Sequence, residues 1–423
     1  MGYNYILSNI YIFNISKRIT ISFKYIIFII TIYLLFKSNY SFINIQNINS
    51  NNILTIVNDI NNHVPLYSYI KYIKYCKSLK RNNDQFKKEN EYPFLSICMS
   101  VYNIERYIEM SLLSVLNQSF KDFEIIIIND FSKDNTLNII NKLQLKDNRI
   151  RIINHEKNLG TYHSRAEGVL NSKGKYILFL DPDDMILNPN LFEILFIYNL
   201  YLNLDIIEFT VYHTIENKKK IFYPEGHIYN HNHQFTKKII KQPELSNILF
   251  NIPKTNNYTY VFCRTLWNKL YKREVILNSI KYIGEDYYQK YYIIVVEDTL
   301  LNIINFQFAN NYTNINLPGY LYNIRESSIS HIKGNTNHII IESISFYLYF
   351  KLFLKYIKEF DKNRNFFYFE FKDFSYYFKN FKQYNVKEYL QKVIYMLYDI
   401  INDNKTTIEL KNFTNNLLLE LSN

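Results

Sequence analysis

The sequence predicts an α/β protein built around a largely parallel sheet, and three observations carry that expectation. From Pro93 onward, short apolar runs alternate with segments of helical pattern. Within the first helical segment, Ile104, Ile108, Leu112 and Val115 recur along one face. The run Phe123–Ile128 is apolar enough to be a strand covered on both faces, as strands of parallel sheets are.

Taken in order, the elements expected are a strand at Phe94–Val101 and a helix at Ile104–Gln118. A strand at Phe123–Ile128 and a helix at Asp134–Leu145 follow, then a strand at Arg149–Asn154 and a helix at Thr161–Asn171. A strand at Tyr176–Leu180 closes the series. Farther on, Thr299–Ala309 reads as an apolar helix. Ligands of such sheets collect at the carboxyl ends of the strands, which makes the polar residues there the ones to weigh.

Outside this region the chain has a different texture. At 423 residues it has room for two or three units, taking about 150 residues for each. Residues 19–36 form an apolar segment with Lys24 inside it; Lys17 and Arg18 precede it and Lys37 closely follows. It is expected to be a signal anchor that leaves the N-terminus in the cytosol and the rest facing the ER or Golgi lumen. A cleaved signal, giving a secreted protein, is the second choice. Residues 1–37 are thus the tail and membrane segment, and residues 38–92 a low-complexity stem. Residues 93–335 are the α/β domain. Residues 336–423 form a helical region with candidate helices at 339–360 and 386–403.

Composition excludes several classes. With 48% hydrophobic residues the chain can bury a core, and three cysteines allow no disulfide framework. The net charge of +11 comes from lysines that outnumber arginines 39 to 10, in a chain also rich in Ile, Asn and Tyr. That bias matches AT-rich codons. The densest basic run, Lys71 to Lys88, reads as a solvated helix face, so no nucleic-acid partner is expected. Asn-X-Ser/Thr sequons, among them Asn39, Asn117, Asn257, Asn311, Asn404 and Asn412, occur as chance provides in so Asn-rich a chain; Asn117 falls on a helix read as packed.

The strand ends carry the chemistry. The first ends in Ser100-Val101-Tyr102-Asn103, the second in Asn129-Asp130-Phe131-Ser132, the fourth in Asp181-Pro182-Asp183-Asp184. An aromatic face can stack a nucleobase and a carboxylate can accept its N–H. Clustered carboxylates suit Mg²⁺ or Mn²⁺ shared with a substrate diphosphate. A nucleoside diphosphate with a divalent metal fits all three ends. Each piece alone has a plainer reading, such as a turn and helix cap at Asp181–Asp184.

In order along the chain, LSICMSVYNIERYIEMSLLSVLNQSFKDFEIIIINDFSKDNT, NLGTYHSRAEGV, GKYILFLDPDD, WNKLYKRE, EDTLLNIINFQFA and YLYNIRESSISH resemble the family 2 glycosyltransferases with a GT-A fold. The likeness covers about residues 93–331. It implies a Rossmann-like sheet between helices and an inverting transfer from a nucleotide sugar, usually a UDP-sugar. The acceptor would be a hydroxyl of a glycan, glycoprotein or glycolipid.

By position, the resemblance implies that Ser100, Tyr102 and Asp130 hold the uridine. Arg165 approaches the nucleotide or supports its loop. Asp181 and Asp183 form the DxD motif, with Asp183 on the metal and Asp181 on ribose or the metal shell. Asp298 is the general base, and His331 a C-terminal metal contact. Departures from the family pattern are Asn129 before Asp130, Val101 before Tyr102, and Ser164-Arg165-Ala166 where Ala-Arg-Asn is frequent. Glu285-Asp286 is a second acidic pair, less well spaced from Tyr320 than Glu297-Asp298.

Other residues stay open. Trp267 could stack on a sugar or pack inside; Asn268 and Lys269 could support the diphosphate or the loop. His227, His231 and His233 read as a solvated loop. The alternative function is an inactive GT-A-fold binding or assembly subunit. A nucleotidyltransferase would carry a Gly-rich loop, and Phe94–Arg106 contains no glycine. A cytosol-facing enzyme with a lipid-phosphate acceptor would share every motif.

Overall fold

The computed structural model describes residues 92–216, 221–222, 239–242, 245, 265–284 and 297–325, with single helical positions at 395, 398, 402, 412 and 415. The anchor segment 19–36, the stem, Glu285-Asp286, the histidines 227, 231 and 233, His331 and nearly all of the C-terminal helices lie outside the described residues. Among the described residues no helix is long and apolar enough to cross a membrane.

The described chain runs β1 (Leu95–Val101), α1 (Ile108–Leu116), β2 (Phe123–Asn129), α2 (Thr136–Gln144), β3 (Ile150–Asn154), α3 (Thr161–Leu170) and β4 (Tyr176–Phe179). Then come β5 (Met185–Ile186), α4 (Leu191–Leu202), β6 (Ile206–Ile215), β7 (Ile221–Phe222) and β8 (Ile240–Lys241). The last elements are β9 (Lys269–Lys272), α5 (Arg273–Ile283), α6 (Glu297–Phe308) and β10 (Asn311–Ile324). The main sheet path is β3-β2-β1-β4-β9-β6-β10-β5. The four strands β3, β2, β1 and β4 pair in parallel, as expected.

Beyond β4 the sheet departs from the expected parallel form. Strand β9 inserts antiparallel between β4 and β6, and β10 runs parallel to β6 but antiparallel to β5. The sheet is therefore mixed. Strand β9 follows β6 by more than 50 residues and fills the space between β4 and β6, so its direction is set by these two distant partners and not by a crossover helix. In β10 the register with β6 shifts on either side of Pro318. A proline cannot donate to the ladder and is accommodated at such a bulge.

Alternation on the strands assigns the two helical layers. Leu95, Ile97, Met99 and Val101 of β1 and Ile125 and Ile127 of β2 share one core with Ile108, Leu112 and Val115 of α1, Ile140 of α2 and Leu191, Phe192 and Leu195 of α4. The opposite face carries α3, where Gly168 packs against Cys98 and Ile128. All seven residues of β2 are buried, which fits a strand covered on both faces. The helix α1 begins at Ile108 rather than Ile104, because residues 104–107 form a turn that delivers Tyr107 as its N-cap. It ends two residues sooner than expected, so Asn117 caps it from an exposed position rather than packing.

Candidate active site

The site is built where the parallel strands end. Behind β1 the chain turns through Asn103, and behind β2 through Phe131, both with left-handed backbone (φ 46° and 67°). Such geometry is unusual for residues with a Cβ, and persists where surroundings hold it. The two loops clamp each other: Asn103 N–H donates to Ser132 Oγ at 3.1 Å, and Lys133 N–H donates to Asn103 Oδ1 at 2.8 Å. Tyr102, between them, is 48% exposed and offers its ring. Ser100 is half-buried, in register with Ile128.

Asp130 is deeply buried and committed to the loop that follows β3. Its Oδ1 accepts from Leu159 N–H at 2.7 Å and bonds His155 Nδ1 at 2.7 Å, while Oδ2 accepts from Gly160 N–H at 2.9 Å. Gly160 sits at φ 89°, a backbone that glycine alone adopts freely, directly before α3. Asp130 is therefore a structural anchor of this loop, whatever else it meets.

Arg165 is the hub. It lies on α3, 5% exposed. Its Nη2 donates to Asp181 Oδ1 at 2.8 Å, and its Nη1 donates to Glu297 Oε1 at 2.9 Å and to Asp298 Oδ1. A guanidinium presents five donors in a rigid plane, so one side chain fixes three carboxylates at set angles. Burial opposes its charge, but Asp298, Asp181 and Glu297 together outweigh that and hold it protonated. Of the two alternatives for Arg165, the described contacts are those of a support.

Around it the acids differ. Burial pushes the Glu297 carboxyl up to about 8, against the pull of Arg165. Burial also raises Asp298, again opposed by Arg165, with Leu266 N–H donating to its Oδ2 at 3.4 Å. Both acids stand in the first turn of α6, two residues earlier than the helix start read from sequence, where the helix dipole favours negative charge.

Asp183 pairs with Arg325 at 2.5 Å, and burial raises it. Asp184 is fully enclosed: Tyr320 Oη donates to Oδ2 at 2.8 Å and Asn323 N–H to Oδ1 at 2.8 Å. Burial holds Asp184 well above the ordinary carboxylate range. Tyr320 Oη also accepts from Asp181 N–H at 3.2 Å, so β10 braces the whole Asp181–Asp184 turn.

The residues at 267–269 are structural. Trp267 is 3% exposed and stacks on Tyr320 at 4.4 Å and Tyr322 at 5.5 Å, which removes it from contact with a sugar in this structure. Lys269 is fully buried; its Nζ donates to Thr265 O and Asn268 Oδ1, both at 2.8 Å, and faces Glu208 at 3.6 Å. The pair thus shapes the 265–268 loop that presents Leu266 N–H to Asp298.

Sequence reasoning missed three partners: Glu297 and Arg325, which neutralise or are neutralised within the acid cluster, and His155. Glu297 is adjacent to the expected base, and that doubled acid was the only signal for it. Arg325 stands in the YLYNIRE motif already noted. For His155, burial works against its charge but Asp130 and Glu167 raise its proton affinity.

Ser100, Tyr102, Asp130, Arg165, Asp181, Asp183 and Asp298 thus gather at one end of the sheet; His331 lies outside the described residues. The carboxylates are hard oxygen donors and fit Mg²⁺ or Mn²⁺ chemically, though Asp181 and Asp183 are each paired with an arginine here.

A family model described as glycosyl transferase family 2 matches residues 96–276. That stretch, from β1 into α5, is what resembles the family 2 glycosyltransferases. Among curated proteins, an uncharacterised glycosyltransferase of Haemophilus influenzae is 42% identical over 23% of this chain and 40% of its own length. The cholesterol galactosyltransferase of Borreliella burgdorferi is 30% identical over 52% of this chain and 58% of its own. Of the first four such relatives the chain spans between 34% and 64% of their lengths. Among solved structures, Staphylococcus aureus TarS in complex with UDP-GlcNAc is similar at 17% identity and TM-score 0.48, over 77% of this chain and 88% of that one. The α/β layout, with a mixed sheet between helical layers, is GT-A-like, as the resemblance implies.

Proposed function

We propose that the chain is an inverting glycosyltransferase that moves a sugar from a nucleotide sugar, a UDP-sugar by family resemblance, to an acceptor hydroxyl. The observation that carries this reading is the joining of Asp181 and Asp298 through one buried guanidinium, Arg165. A single displacement needs a base held at a set position relative to the leaving diphosphate. Arg165 ties the two sides of that requirement together.

In this reading Tyr102 stacks the uracil at the end of β1, beside Ser100 and Asp130. The acceptor oxygen attacks the anomeric carbon from the face opposite the nucleotide. As that bond forms and the sugar–phosphate bond breaks, Asp298 takes the acceptor's proton. Burial raises the proton affinity of Asp298, which favours the transfer, while Arg165 keeps its carboxylate oriented. Asp183 and Asp181 would hold a divalent metal, with His331 as a further contact. When bound, the ion supplies positive charge to the departing diphosphate. Membrane attachment through residues 19–36, and a glycan, glycoprotein or glycolipid acceptor, belong to the same proposal.

The second reading is an inactive GT-A-fold subunit. What favours it is that Asp181, Asp183 and Asp298 are each already paired with an arginine. Donor turnover separates the two. Asp298→Asn should lower turnover by about 10²–10⁴, the worth of a positioned base, while UDP affinity changes far less. Equal turnover in parent and variant would remove Asp298 as base, and no turnover in the parent with any UDP-sugar would favour the inactive subunit.

A further inference from the structure

Beside the site, the loop after β3 and the first turns of α3 carry a constellation that the transfer chemistry does not use. His155, His163 and Glu167 place three ligand atoms within 4.8 Å of one another. His163 and Glu167 stand four residues apart on α3 and share a face. His155 meets them from the loop, its ring edge-on to His163 with centroids 5.2 Å apart.

His155 bonds a carboxylate through each nitrogen: Nδ1 to Asp130 at 2.7 Å and Nε2 to Glu167 at 2.5 Å. A neutral imidazole donates from one nitrogen only. With the Nδ1 proton given to Asp130, the Nε2 lone pair faces a carboxylate oxygen, and two acceptors in contact need a positive centre between them. A proton or a metal ion can supply it. A shared proton engages two atoms, yet His163 Nδ1 lies 3.9 Å from the same Glu167 oxygen.

We propose that His155, His163 and Glu167 bind a zinc-class transition-metal ion, with Asp130 holding His155 from behind. Ligands at about 2.0–2.1 Å from a tetrahedral centre lie about 3.3 Å apart. The two pairs with Glu167, at 2.5 and 3.9 Å, fall on either side of that value, and all three ligand atoms lie within 4.8 Å of one another, so side-chain adjustment brings them to one ion. A histidine that ligates through one nitrogen and donates the other to a carboxylate is the arrangement that fixes tautomer and ring orientation at metal sites. Two nitrogens and one oxygen select zinc, cobalt or nickel over magnesium or calcium. The Glu167 side chain, 28% exposed, is the open side for entry. The ion would cross-link the 155–160 loop to α3 and thereby stiffen the mount of Asp130.

The test is zinc content of the full-length chain, stripped with chelator, reloaded with Zn²⁺ and freed of excess by gel filtration. His163→Ala and Glu167→Gln change α3 at partly exposed positions and leave the Asp130–His155 pair in place. Each is expected to retain one equivalent of zinc fewer than the parent. Co²⁺ in the site should give the intense visible absorption of a tetrahedral ion, lost in the same two variants. The difference between parent and variant is the readout, because His227, His231 and His233 also offer imidazoles to zinc. Equal zinc in parent and folded variants, or none in the parent, would overturn the site and leave His155 as an imidazolium bridging two carboxylates. Metal content is read without donor or acceptor, so this outcome is independent of the transferase reading.

Discussion

Arg165 and Glu297 show how one buried cation sets the protonation of its neighbours. Three carboxylates share one guanidinium, and Glu297, the most enclosed, answers by holding its proton up to about 8. The unfolded chain releases that proton at about 4.5. Between these values the fold binds more protons than the unfolded state, so the glutamate's contribution to stability falls as pH rises. We predict that Glu297→Gln, which keeps the neutral form, gains on the parent between pH 5 and pH 8, at up to about 1.4 kcal/mol per pH unit. Denaturant titrations at several pH values check this; a pH-independent difference would refute it. None of this was legible in the sequence as a contact, because Arg165 and Glu297 stand 132 residues apart. Their neighbours were legible: Asp181, Asp183 and Asp298 sit in short ordered motifs whose chemistry can be read locally.

At the scale of elements, what was legible follows the strength of local pattern. The apolar run of β2 announced a doubly covered strand, and the structure buries all of it. Ile127 has no exposed surface and packs into the core shared with α1 and α2. Ile127→Ala should cost about 2–5 kcal/mol in denaturant unfolding, since a cavity there is walled by strand backbone and cannot collapse. A cost below about 1 kcal/mol would contradict such packing. Close approach tells the same story at Gly174, where a Cβ would meet Ser96 N at 2.5 Å. The second half of the sheet was not legible. Whether the four-residue β9 pairs with β4, β6 or neither depends on partners more than 60 residues away, and nothing in KLYK encodes its direction. Likewise Pro318 and Gly319 argue against a strand locally, and only the bulged pairing with β6 accommodates them in β10.

For the whole molecule, the sheet is a mount that brings the ends of β1, β2 and β4, the starts of α3 and α6, and the end of β10 to one place. Long-range order of motifs carried that much, because each motif ends a strand or opens a helix and strand ends of a parallel sheet lie side by side. The acceptor and the sugar are written in loops with no such code. In the function proposed, this place binds a nucleoside diphosphate through a divalent ion on Asp181 and Asp183. The most direct test is calorimetric titration of UDP into the full-length chain with Mn²⁺, repeated with EDTA and with Asp183→Asn. Saturable binding is expected, abolished by EDTA and weakened by Asp183→Asn by at least about tenfold, or about 1.4 kcal/mol. Binding of equal strength in EDTA, or none by a folded chain in Mn²⁺, would contradict it.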